Sequence, residues 1–99
     1  MKKAELMCEM LQEVSEITEI GTDDILSNNK SEEIVDARHL LIMLLYDSGL
    51  YPSAIAQMIH CTKRNVNGVI CNFIERCQRR KILRSNYEII RNRKRNNSL

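Results

Sequence analysis

Apolar residues recur in steps of three and four along most of the chain, and no stretch alternates long enough for a strand. Leu6, Met7, Met10, Leu11, Val14, Ile17 and Ile20 form one stripe with glutamates on the other side, which predicts a helix over residues 4–20. Gly21 suits a left-handed helix stop, and Thr22 suits the N-cap of a short helix, Asp23–Leu26, whose first turn holds two aspartates. Ser27–Lys30 is a polar turn. Ser31 then opens a helix over 32–47 that is apolar around most of its circumference through Ile34, Val35, Leu40, Leu41, Ile42, Leu44 and Leu45, and such a helix belongs at the centre of the fold. Gly49 ends it. Pro52 starts a short helix to about Ile59, with Ile55, Ala56 and Ile59 inward. After a break at His60-Cys61, Thr62 caps a further helix with Val66, Val69, Ile70, Phe73, Ile74 and Cys77 on its apolar side. A last helix is expected over 86–95 with Tyr87, Ile90 and Ile89 packed down, and Arg91–Asn97 reads as a basic, mobile tail.

The pattern predicts an all-α domain of five or six helices, with its body in residues 1–80 and a basic extension over 81–99. Composition agrees: three Gly, one Pro, one Phe and no Trp in 99 residues argue against a strand-rich fold. The longest apolar run, Leu40–Leu45, is six residues, far short of a membrane span. The N-terminal residues alternate apolar with acidic side chains, unlike a signal peptide. The four cysteines make no Cys-x-x-Cys pair, and His39 and His60 complete no zinc pattern. Reduced thiols in a cytoplasmic protein are the expectation, with Cys8 and Cys77 packing as small hydrophobes and no metal or cofactor expected.

Charge changes the picture more than composition does. The net charge of +2 conceals a split. Residues 1–36 hold three lysines against ten carboxylates, a net −7, and residues 37–99 hold twelve Lys/Arg against three carboxylates, a net +9. Two readings are open: a polyanion partner for the second half, or two faces that attract each other within the fold.

The strongest local signal lies over 52–78. A short helix carries a small residue, Ala56, where a second helix must approach. A tight turn comes next, and the second helix then begins with a cap and polar, basic side chains. This is the layout of a helix-turn-helix whose second helix enters the DNA major groove. A helical hairpin with a solvated basic face has the same layout. On the DNA reading, Thr62, Lys63, Arg64, Asn65, Asn67 and Gly68 line the groove-facing start of the helix, because Val66 and Val69 turn inward. Asn67 has the donor and acceptor to read adenine and Arg64 the donors to read guanine or clamp a phosphate, with Lys63 and Asn65 beside them. Gly68 costs ~1 kcal/mol relative to alanine inside a helix, which close approach to another backbone would offset.

Three pieces in order resemble the C-terminal DNA-binding domain of the bacterial replication initiator DnaA, a Trp-repressor-like helix-turn-helix fold. They are Thr22-Asp23-Asp24-Ile25-Leu26-Ser27, then Glu33-Ile34-Val35-Asp36-Ala37-Arg38-His39, then the helix pair. The resemblance spans about residues 14–78. It implies double-stranded DNA as partner, with Lys30 toward the minor groove and Arg38 on a phosphate, in a small transcriptional or replication-related regulator. The family's turn signature is replaced by His60-Cys61-Thr62-Lys63-Arg64-Asn65-Val66, one residue shorter and without its Asp-His-Thr group, which implies a different DNA site. No Gly-x-x-x-x-Gly-Lys-Ser/Thr is present, so initiator activity does not carry over.

An enzyme is not expected, since no nucleophile–base–acid set is apparent, and Glu5, Glu9, Glu13 and Glu16 repeat as a solvated helix face. The alternative is a non-enzymatic protein-interaction module, its acidic N-terminal helix and methionines forming the contact surface. A single helix-turn-helix reads few base pairs, so either a homodimer or weak, salt-sensitive binding is expected.

Overall fold

The computed structural model describes residues 2–97, and side chains through Arg93. Six helices run in order among the described residues: α1 (Lys3–Thr18), α2 (Thr22–Ile25), α3 (Glu32–Asp47), α4 (Pro52–Met58), α5 (Lys63–Arg79) and α6 (Lys81–Asn97). There is no strand among the described residues, and no helix there is long and apolar enough to cross a membrane.

α3 is the hub, as its apolar circumference requires. Leu40, Leu41, Ile42, Leu44 and Leu45 are all buried, and α1, α2, α4, α5 and α6 each pack against it. Met10 and Val14 of α1, Ile25 of α2, Ile55 of α4, and Val66 and Phe73 of α5 complete one continuous core. Phe73 is 1% exposed and meets Tyr87 of α6 edge-on at 4.9 Å between ring centroids.

α6 extends this core. It begins directly after Arg80, five residues before the expected Asn86, and runs on through Asn97 where a tail was expected. Leu83 and Ile90 are buried and Tyr87 packs beside them, so the basic extension from 81 is helical and one side of its first turns belongs to the core. The Cα radius of gyration, 12.4 Å, is that of a chain of this length packed about one centre.

Several local expectations are corrected. The left-handed residue that ends α1 is Glu19 (φ 59°), and Gly21 has an ordinary negative φ as N-cap of α2, with Thr22 inside the helix. The chain turns early because the Ser15 hydroxyl donates to the Ile20 carbonyl (2.7 Å), drawing it back against α1. Cys8 is exposed. It lies two residues, about 200° at ~100° per residue, from buried Met10. Cys77 is buried, and burial pushes its thiol pKa up. Ile74 and Ile89 are 72% and 42% exposed, against their expected packing, and Ile70 is only half-buried.

Candidate nucleic-acid interface

Three segments meet on one side of the molecule. The first is the α4–α5 connection. Its register is set by His60, which adopts φ 57° and lets the Cys61 amide donate back to the Ala56 carbonyl at 2.9 Å. Thr62 then caps α5, its Oγ1 accepting from the Asn65 amide at 3.0 Å. Val66, Val69, Phe73 and Cys77 are the buried side of α5, which leaves Lys63, Arg64, Asn65 and Asn67 exposed.

The second segment is the loop after α2, and Arg38 of α3 holds it. Nε donates to the Ile25 carbonyl (2.9 Å), and Nη2 donates to the carbonyls of Asn29 (3.1 Å) and Ser27. Asn29 Oδ1 in turn accepts from the Ser31 amide at 2.9 Å. Three of the five guanidinium donors are therefore turned into the fold, and the residue expected on a phosphate serves as a loop clamp. Lys30, next along, is exposed.

The third segment is the α3 face that carries His39. A shallow groove of about 670 Å³ runs along α5, lined by Thr62, Arg64, Asn65, Gly68, Asn72 and Arg79, with His39 of α3 and Arg76 at its inner wall. A smaller hollow of about 190 Å³ adjoins it between the loop and the turn, and includes Asn28, Arg38, His60 and Cys61. His39, Asn65 and Val69 border both. Burial first, and then the Arg76 charge, push His39 down to about 4 against the pull of Asp36, so the ring is neutral at pH 7. Burial likewise pushes the Cys61 thiol up.

Gly68 sits mid-groove, and a Cβ there would meet nothing within 4 Å. No internal packing calls for glycine. Asn72 Nδ2 donates to the Gly68 carbonyl at 2.9 Å. Of the expected contact residues, Thr62, Arg64, Asn65 and Gly68 come together here, whereas Lys63 and Asn67 lie on the opposite flank of α5. His39 and Asn72 join the groove unforeseen, while Arg79 comes from the basic group of Arg76, Arg79, Arg80 and Lys81 expected on an exposed face. Asn72 and Arg79 continue the Asn65–Gly68 stripe at helical spacing, a signal present in the sequence. His39 comes only from the packing of α3 on α5.

The charge split is partly spent inside the fold. Asp36 accepts from Arg76 Nε at 2.7 Å and from Arg80 Nε at 2.8 Å, and Glu32 takes Arg80 Nη1 at 3.2 Å. Arg80 is thus an ion-paired brace between α3 and the α5–α6 joint, and Arg76 is braced through Nε alone. No group of His, Cys, Asp and Glu among the described residues could hold a metal ion.

Comparison with known proteins returned no matching protein family and no matching curated protein.

Proposed function

We propose that this chain binds double-stranded DNA by laying the first three turns of α5 in the major groove, with α4 behind it and the Ser27–Lys30 loop beside the neighbouring backbone. The observation that carries this reading is the outward side of α5. It is polar and mainly basic, with Glu75 as the carboxylate in its groove; that groove opens at Thr62, Arg64, Asn65, Gly68 and Asn72, and carries a glycine that nothing inside the molecule requires. A helix entering a major groove needs this combination of hydrogen-bonding side chains, cations and a point of close approach.

Arg64 has the fork to read a guanine and Asn65 or Asn67 the amide to read an adenine, one on each flank of the helix. Lys63, Arg79 and Lys30 neutralise phosphates. The order of acidic short helix, Ala-Arg helix and helix pair supports a regulator of the DnaA C-terminal type, reading a different site. One such helix spans few base pairs, so a homodimer on a two-fold site belongs to the same reading.

The test is selection from random duplexes, and then anisotropy titration over a range of salt. Affinity should fall with salt at ~0.9 log units per log unit for each phosphate neutralised. Arg64→Ala with Asn65→Ala and Asn67→Ala should lose the selected preference. Salt-independent or absent duplex binding would sink the reading. A protein-interaction module is the second reading, favoured by Ile74 and Ile82, which are 72% and 77% exposed. That reading expects association that barely responds to salt.

A further inference from the structure

We propose that the groove between α3 and α5 seats a single phosphate beside Arg76, and that His39 on its inner wall takes up a proton as the phosphate enters. The site deepens the DNA-binding reading and rests on it for its natural occupant, a phosphodiester of the duplex backbone.

The donors are already in place. Arg76 is held by Asp36 through Nε, and its Nη pair has no hydrogen-bond partner among the described residues. A guanidinium fixed beforehand loses little rotamer freedom when an anion arrives. Arg79, three residues on from Arg76 along α5 and already given to phosphates, lines the same groove as a second cation.

His39 is the group whose charge can change. Asp36 and Arg38 flank it on its own helix, and Arg76, Arg64, Arg79 and Glu75 come from α5. His60 and Cys61 face it from the turn. In the free protein, desolvation and the Arg76 charge keep the ring neutral. A phosphate between His39 and Arg76 cancels that repulsion and supplies an acceptor for a second ring N–H. Protonation and phosphate binding then favour each other by the same factor, because linkage is reciprocal. If the occupied site restores the ring to its ordinary value, binding at pH 5.5 is about tenfold tighter than at pH 8.

The experiment uses the full chain and two ligands, a 20-base-pair duplex and inorganic phosphate. The His39 ring is monitored by NMR through a pH titration, free and with each ligand. Duplex affinity is measured by anisotropy at pH 5.5 and pH 8, at constant salt, for wild type, His39→Gln and His60→Gln. The ring should titrate near 4 when free and higher with duplex. The tenfold pH response should persist in His60→Gln and vanish in His39→Gln. A ring unmoved by saturating duplex, or a His39→Gln variant that keeps the whole response, overturns the proposal. If no duplex binds, the DNA reading fails by itself. An upward shift with inorganic phosphate then still supports the site, and its absence overturns the site as well.

Discussion

Removing the Arg38 side chain separates two roles that the residue cannot fill equally. A phosphate-contacting arginine on a surface contributes little to the stability of the free protein. The Arg38 guanidinium instead donates to the carbonyls of Ile25, Ser27 and Asn29, closing the end of α2 and the loop beyond it. Hydrogen bonds from a charged donor are worth ~1.5–3 kcal/mol each when the acceptor is left dry. Asn29 is exposed and its carbonyl regains water, while the Ile25 residue is buried. Counting one well-shielded bond and discounting the others, Arg38→Ala should cost about 2 kcal/mol. In a domain of this size that corresponds to roughly 8–16 °C in Tm. The assay is urea unfolding monitored by circular dichroism at 222 nm, with amide exchange of Ser27–Ser31 as the local readout. Faster exchange in the loop should accompany the loss. A variant within about 0.5 kcal/mol of wild type, with loop exchange unchanged and the salt dependence of duplex binding reduced by one phosphate, would refute the clamp and restore the phosphate role.

Phe73→Ala should destabilise by ~3–5 kcal/mol in the same unfolding assay, since the ring is 1% exposed and its removal also takes away the aromatic partner of Tyr87. Gly68→Ala should stabilise the free protein by up to ~1 kcal/mol, because a Cβ meets nothing within 4 Å, and should weaken duplex binding; lost stability, or unchanged binding, contradicts the role given to this glycine. Acid should cost stability through His39. Its folded value of about 4 lies below the unfolded value of 6.5, so the unfolded chain takes the proton first as pH falls. The contribution is intact above pH 6.5, is lost between 6.5 and 4, and amounts to about 1 kcal/mol after allowance for the solvent that reaches the ring. The difference in unfolding free energy between wild type and His39→Gln should therefore change across that window, and a constant difference speaks against a neutral, shielded ring.

The helices were legible where the chain punctuates them. Gly49 (φ 100°), Pro52 at the first turn of α4, and Thr62 capping α5 each fall where local chemistry demands. The start of α6 was not, because the break before it is the single residue Arg80, in an extended conformation between two helices, without glycine or proline. Arg79-Arg80-Lys81 looks like a solvated basic run, and only the Leu83, Tyr87, Ile90 spacing marks the helix beyond it. The Glu19 turn was hidden for a related reason: a non-glycine residue holds the left-handed conformation while a glycine two positions on does not. At the candidate interface, the outward face of α5 can be read from its apolar side by subtraction. The His39 wall cannot, since it needs the contact between α3 and α5, which no local pattern encodes.

The same dependence on long-range packing explains why the charge split overstates the surface available to a polyanion. Nine net positive charges lie in residues 37–99. The fold commits Arg38 to loop carbonyls, Arg80 to Asp36 and Glu32, and one nitrogen of Arg76 to Asp36. Each of these contacts ties a cation from the basic two thirds of the chain to a group in the acidic first third. Attraction between the two parts and affinity for a polyanion therefore divide one set of cations between them. The share left open along α5 is Lys63, Arg64 and Arg79, with Lys30 from the loop and the unpaired end of Arg76. On the proposed DNA reading, that set suits a few phosphates around one helix, and a footprint so short would leave discrimination to the polar side chains of α5 and tight binding to a second subunit.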